Sequence, residues 1–178
     1  MRFSRLVWAI VAASVAVLSA DSWPMPRTLV FASAYGTHGF RTQPPPHSVW
    51  SGTSQGTLFT HADNGAESIV WSRELVNIPV RAFVTEDGKS VVTLDTWARL
   101  GYEHCLVIYG QEGRVVADYS LEDLLSSVDI ARVLQTAGSR HWLMDGNVAF
   151  NGTQDRIVIS LHWGKAIRLS LATGRVEP

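Results

Sequence analysis

Three segments of the chain share one pattern, and this repeat constrains the fold more than any other feature of the sequence. Each segment has an aliphatic residue followed seven positions later by a turn glycine, in the pairs Leu58 and Gly65, Leu106 and Gly113, and Ile167 and Gly174. A second strand-like element precedes each segment, beginning at Phe31, Phe83 and Phe150. The repeat predicts a β-rich array of about three modules and says much less about activity.

The first twenty residues have the layout of a secretory signal peptide. Arg2 and Arg5 supply positive charge, an uncharged and mostly apolar run follows from Leu6 to Leu18, and small residues come next. We predict that residues 1–20 are the signal peptide, with cleavage in the interval 19–22, so that the protein is exported to the periplasm or the cell exterior. An uncleaved N-terminal anchor is the alternative, although the apolar run is shorter than the roughly 20 residues of a membrane span.

Composition excludes several classes of partner. The chain has a formal net charge of −1 and no basic run, which argues against nucleic acid and against a membrane surface once the leader is removed. Cys105 is the single cysteine, so the domain has no internal disulfide and depends on its core. We expect Cys105 to be a buried residue of a strand, with an intermolecular disulfide or a reactive thiol as the alternatives.

The mature chain is expected to form one β-repeat domain over residues 27–178, with four strands in each module. Asp-Gly and Asn-Gly steps between apolar runs are typical of hairpin turns. The modules are predicted at about 28–72, 80–119 and 145–178. Asn151-Gly152-Thr153 fits an N-glycosylation sequon, but the hairpin turn is reason enough for the Asn-Gly step.

One helix is predicted within this β fold, as an insertion after the second module. Ser120-Leu121-Glu122-Asp123 is a capping-box sequence, and apolar residues follow at helical spacing. These signals favour a single helix over 121–135 that packs its apolar stripe against the sheets.

The order of elements within a module resembles a blade of the extracytoplasmic β-propeller repeat proteins. In the second module these elements are Phe83, the turn Asp87-Gly88, the strand Val91–Thr96, the strand Leu106–Tyr109 and the turn at Gly113. The likeness covers about residues 28–176. Because propellers typically close with about four to eight blades, three modules imply a partial or atypical propeller, an open stacked array, or a ring completed by another subunit. The resemblance implies no activity, since this architecture hosts both enzymes and scaffolds.

The richest polar cluster of the sequence lies between two predicted strands of the second module. It contains two acids, a guanidinium and an imidazole, contributed by Asp95, Arg99, Glu103 and His104. Such groups in one loop could bind an anion or support acid–base chemistry, and Glu103 and His104 are the candidate catalytic residues. The alternative is a structural loop in which Arg99 pairs with Glu103 or Asp95. Trp50, in a Pro-rich loop, is a further candidate ligand contact.

Three functions remain open at this level. The leading interpretation is an exported, non-catalytic domain that binds a protein or glycan partner through the loops 43–56 and 95–104, with Asp95, Arg99 and Trp50 as ligand contacts. The second is a hydrolase or lyase that uses Glu103 and His104, with Arg99 holding an anion. The third is a structural subunit that assembles with copies of itself. No metal site and no cofactor are predicted, because the histidines show no ligand spacing and no cofactor motif is present.

Closure of the array leads to a last expectation. Outer strands with unpaired backbone groups invite pairing with another chain. The sequence ends soon after Gly174, where a fourth strand of the third module should begin. We therefore expect either an edge-to-edge homodimer or a segment near 27–34 that completes the third module.

Overall fold

The fold is all-β and consists of three four-stranded antiparallel sheets, as the repeat predicts. The computed structural model describes residues 22–46, 52–62 and 65–177. The predicted leader, Trp50 and the turn residues 63–64 lie outside these ranges. The first sheet contains β1 (Leu29–Ala32), β2 (His38–Gln43), β3 (Ser54–His61) and β4 (Glu67–Leu75). The second contains β5 (Pro79–Val84), β6 (Val91–Thr96), β7 (Leu106–Tyr109) and β8 (Val115–Tyr119). The third contains β9 (Asn147–Phe150), β10 (Arg156–Ser160), β11 (Ala166–Ser170) and β12 (Val176–Glu177).

The second sheet lies between the other two, and a separate apolar core fills each interface. One core packs Val92, Leu94 and Ile108 against residues of the third sheet. The other core packs Val91 and Val107 against the first sheet. Neighbouring residues of β6 therefore point into different cores, which is why Val91-Val92-Thr93-Leu94 is an unbroken buried run. The third sheet has one covered face, and β10 alternates between buried and more exposed residues.

Glu86 joins the turns at one end of all three sheets, through its carboxylate and its backbone N–H. Glu86, in the β5–β6 turn, accepts hydrogen bonds from Ser33 Oγ at 3.0 Å and Thr37 Oγ1 at 2.8 Å, both in the β1–β2 turn. The backbone N–H of Glu86 donates to Gln154 Oε1 in the β9–β10 turn at 2.7 Å. We call this end of the molecule the turn end. The opposite end, which contains residues 52–53 and the loop 97–105, is called the loop end.

The insertion after β8 differs from the predicted single helix over 121–135. It contains two one-turn helices, α1 (Leu121–Leu124) and α2 (Ser127–Ile130). Leu125 between them is extended, with φ −128° and ψ 142°, and Ser126 accepts a hydrogen bond from the Asp129 backbone N–H as the N-cap of α2. A second Ser-x-x-Asp capping sequence thus restarts the helix six residues after the first. As a result Val128 is 67% exposed instead of facing the core.

The third sheet is completed by its own chain, so one expectation about closure is wrong. β12 pairs with β11 through Arg168 and Glu177 and through Leu169 and Val176. β1 pairs with β2 inside the first sheet and does not complete the third. Edge-to-edge pairing between two copies stays a prediction. Among the described helices, none has the length and apolar character needed to cross a bilayer.

Candidate functional site

A pocket at the loop end brings together three of the sequence-predicted site residues. It has a volume of about 210 Å³, and we call it the loop pocket. Its polar lining comprises Thr53 from the β2–β3 loop, Asn77 from the connection between sheets, and Thr96, Arg99, Glu103 and His104 from the end of β6 and the loop that follows. Both loops proposed from the sequence therefore contribute to one concavity, together with a connection that sequence reasoning had not singled out.

The loop that supplies most of this lining has an unusual backbone. Asp95, Ala98 and His104 have φ values of 59°, 61° and 55°, in the left-handed region that non-glycine residues rarely adopt. Each such residue costs roughly 1 kcal/mol or more, and residues of this kind concentrate at functional sites. Asp95 stabilises this conformation through the hydrogen bonds described below.

Arg99 is available to a ligand. It does not pair with Glu103 or Asp95, the structural alternative considered from the sequence: none of the ion pairs among described residues includes it. Its guanidinium instead lies 5.3 Å from the ring centroid of Tyr102, a cation–π contact. Both Arg99 and Glu103 are exposed, so their charges face solvent at the pocket.

His104 has a partner that sequence reasoning missed. Its Nδ1 lies 2.8 Å and 2.9 Å from the two carboxylate oxygens of Asp118 on β8. A carboxylate at Nδ1 fixes the imidazole orientation and leaves Nε2 for another contact. Asp118 lies opposite Val107 in the β7–β8 ladder, and only this strand pairing places it near His104. No local sequence signal connects two residues fourteen positions apart in this way.

Asn77 contributes a buried amide to the pocket. Its Nδ2 donates to Asp95 O and to Thr96 Oγ1, each at 3.0 Å, and so fixes the start of the loop. Its Oδ1 has no hydrogen-bond partner among the described residues, although Asn77 is only 1% exposed. An unpaired buried acceptor is unfavourable, and a donor from a ligand or water would relieve that cost.

Asp95 lies beneath the loop and does not line the loop pocket. Its Oδ1 accepts hydrogen bonds from Gly101 N at 2.8 Å and Trp142 Nε1 at 2.9 Å, with the Cys105 thiol at 3.7 Å. Burial raises the pKa of Asp95 to about 6, against the opposing effect of these hydrogen bonds. The carboxylate borders a separate cavity of about 160 Å³ that Arg81 and Arg140 also line. The observed contacts are those of a residue that holds the loop to the insertion.

The single cysteine is buried, as predicted, although it lies in the loop one position before β7 and not in a strand. Cys105 is 0% exposed, and burial, followed by the neighbouring Asp95 carboxylate, raises the pKa of its thiol far above the ordinary range. A thiol of this kind is poorly reactive, because the thiolate is the nucleophile. Within the described ranges, no group of three or more His, Cys, Asp or Glu residues is arranged to hold a metal ion.

Two tryptophans near the loop end and the insertion, Trp23 and Trp142, pack against neighbouring residues. Trp142 is 1% exposed, and Trp23 lies edge-on to Trp97 with ring centroids 5.5 Å apart. Trp97 Nε1 also donates to Pro24 O at 3.0 Å, which ties residues 23–24 to the loop end. The buried Trp142 indole is therefore not available for stacking on a sugar.

Comparison with models of protein families and with curated proteins found no match to this chain. The candidate function therefore depends on the geometry of the site alone.

Proposed function

We propose that the protein is an exported, non-catalytic β-repeat domain that binds a polar group of a protein or glycan partner in the loop pocket. The observation that carries this proposal is the convergence of residues 52–53, Asn77 and the loop 97–105 on one concavity. Loops held by a rigid sheet scaffold are where binding residues concentrate in proteins. In this proposal the three sheets are the scaffold and form a partial propeller.

The pocket chemistry favours a ligand that both donates and accepts hydrogen bonds. The Arg99 guanidinium only donates hydrogen bonds, and the Glu103 carboxylate only accepts them. The Oδ1 of Asn77 is an acceptor with no partner among the described residues. The charges of Arg99 and Glu103 offset each other, so the pocket does not select strongly for one sign of charge. Hydroxyl, amide or zwitterionic groups match this set, and about 210 Å³ holds a group of monosaccharide or side-chain size.

A selection experiment tests the proposal. The mature domain, residues 22–178, is screened against a glycan array and a displayed peptide library, and each selected ligand is titrated against variants. We expect the double variant R99A/E103Q to weaken binding about tenfold or more, since a hydrogen bond to a charged group contributes roughly 1.5–3 kcal/mol. The control R168Q removes an exposed guanidinium from β11, outside the loop pocket, and should bind as the unmodified domain does. Selected ligands that bind R99A/E103Q equally well would contradict the proposal.

One observation favours an enzyme as the second candidate function. The His104–Asp118 pair has the arrangement of a general base with an orienting carboxylate, and Arg99 and Glu103 line the same pocket. A hydrolase or lyase would use His104 to remove a proton from bound water or substrate. Incubation of each selected ligand with the domain distinguishes the two functions. A binding domain leaves the ligand chemically unchanged. An enzyme converts the ligand, and the rate of conversion should fall in both H104A and D118N.

A further inference from the structure

A second and larger pocket lies at the turn end, between the second and third sheets. It has a volume of about 370 Å³, and we call it the turn pocket. Its charged lining residues are Asp87, Lys89, Arg114 and Asp155, and the amide side chain of Gln154 also borders it. The loop pocket is formed at the opposite end of the sheets, so the two pockets are distinct sites.

Both acids of the turn pocket are engaged within their own turns. Thr85 Oγ1 donates to Asp87 Oδ1 at 2.8 Å, and Thr153 Oγ1 donates to Asp155 Oδ1 at 2.6 Å, the same Thr-x-Asp arrangement in two modules. The remaining carboxylate oxygens are held by cations, since Asp87 Oδ2 lies 2.8 Å from Lys89 Nζ and Asp155 Oδ2 accepts from the Arg156 guanidinium at 2.9 Å.

These contacts keep both carboxylates ionised and occupied. The pKa of Asp87 is lowered to about 2, because hydrogen bonds from Lys89 and Thr85 outweigh the effect of partial burial. The pKa of Asp155 is lowered by hydrogen bonds from Thr153 and Asn151. Ionised carboxylates whose oxygens are all engaged offer few acceptor positions to a ligand.

Two donor groups of the turn pocket, in contrast, have no partner among the described residues. No described residue forms an ion pair with Arg114, whose guanidinium carries five N–H donors. Gln154 uses its Oε1 to accept from the Glu86 backbone N–H at 2.7 Å, which leaves the Nε2 amide donors unused. Lys89 pairs with Asp87, and Arg156 is shared between Asp155 and Glu177, whereas Arg114 has no ion-pair partner among the described residues.

We propose that the turn pocket binds a small organic oxyanion, a carboxylate or phosphate carried on a hydroxylated molecule, with Arg114 as its main anchor. Arginine suits this role because its planar fork matches carboxylate and phosphate oxygens in a bidentate manner. The Gln154 amide donates to the same ligand, and Ser90, which also borders the pocket, offers a hydroxyl. This proposal is independent of the function proposed for the loop pocket.

Calorimetric titration of the mature domain with inorganic phosphate, D-glucuronate and D-glucose tests the proposal. We expect saturable binding of phosphate or glucuronate, with affinity that falls as ionic strength rises, and no binding of glucose. Binding of phosphate alone, or of glucuronate alone, would identify which oxyanion the site takes.

The variant R114Q should weaken oxyanion binding about tenfold or more, since it removes a charged hydrogen-bond donor from the ligand. The matched control is R168Q, which removes an exposed guanidinium from β11 outside the turn pocket and should leave affinity unchanged. Equal weakening by both variants, glucose binding as tight as glucuronate binding, or no binding of any probe at millimolar concentration would each overturn the proposal.

Discussion

Replacement of Asp95 by asparagine is expected to stabilise the protein at neutral and alkaline pH. Asparagine retains an oxygen that accepts from Gly101 N and Trp142 Nε1, and it tolerates the φ of 59° found at this position. It also removes a charge that is unfavourable where it lies, since burial raises the pKa of Asp95 from 3.8 to about 6. The variant tests whether Asp95 serves the fold as a hydrogen-bond acceptor or through its charge.

The magnitude follows from linkage between protonation and folding. A pKa difference of about 2 units corresponds to about 3 kcal/mol. The folded-state pKa of Asp95 is above its ordinary value, so from about pH 4 to pH 6 the folded chain retains a proton that the unfolded chain releases. This group therefore makes the protein less stable as pH rises through that window. The D95N variant should be more stable than the unmodified protein by up to about 3 kcal/mol near pH 8. The difference should approach zero near pH 4.

Urea unfolding at a series of pH values, followed by tryptophan fluorescence, measures the difference directly. Subtraction of the two unfolding free energies at each pH removes the contributions of other titrating groups, such as Asp129, whose hydrogen bond from Lys165 lowers its pKa to about 2. The control D95L leaves the Gly101 N–H and the Trp142 Nε1–H without an acceptor and should be destabilised at every pH. A D95N variant that is less stable than the unmodified protein near pH 8, or a difference that does not change with pH, would refute the reasoning.

Three further predictions concern the loop end and the insertion. The variant G101A should lose about 2–4 kcal/mol of unfolding free energy in urea, because Gly101 has a φ of +70° and a Cβ there would lie 2.5 Å from Arg140 O. The control G36A, where φ is +75° but the space around the Cβ is open, should lose only about 1 kcal/mol. Equal losses in the two variants would argue against the close approach at Gly101. Removal of the N-cap of α2 in S126A should destabilise the protein by about 1 kcal/mol in the same assay, and an unchanged midpoint would indicate that the cap is dispensable. Cys105 should react with a thiol reagent only after unfolding, and rapid labelling of the folded protein would contradict its burial.

The strand pattern could be predicted because it depends on local chemistry. The turn Asp87-Gly88 has the composition of a hairpin, and Gly88 has the positive φ of 64° that such a turn requires. The period-two pattern of residues 157–161 places Ile157 and Ile159 on the covered face of the third sheet, where both are 0% exposed. The apolar spacing of the insertion predicts one helix, whereas the second Ser-x-x-Asp cap at Ser126 divides it into two.

The site could be predicted only in part. Arg99, Glu103 and His104 are close in sequence. Because they belong to a single loop, the sequence alone predicts that they lie near each other. The role of Asp95 depends on Trp142, which lies 47 positions away, and no periodicity reports such a contact. The turn pocket is formed between turns of two different sheets. The repeated Thr-x-Asp sequences at 85–87 and 153–155 were the one local signal that could have drawn attention to it.

The measurement that tests the central claim most directly is a map of backbone amide shifts when a selected glycan or peptide binds the isotope-labelled mature domain. The account predicts that the largest shifts fall on Thr53, Asn77 and residues 96–104 at the loop end. It also predicts that those shifts are lost in R99A/E103Q while the rest of the spectrum stays unchanged. Largest shifts on residues 85–90 and 151–155 at the turn end, with the loop end unaffected, would contradict the assignment of the loop pocket as the partner-binding site.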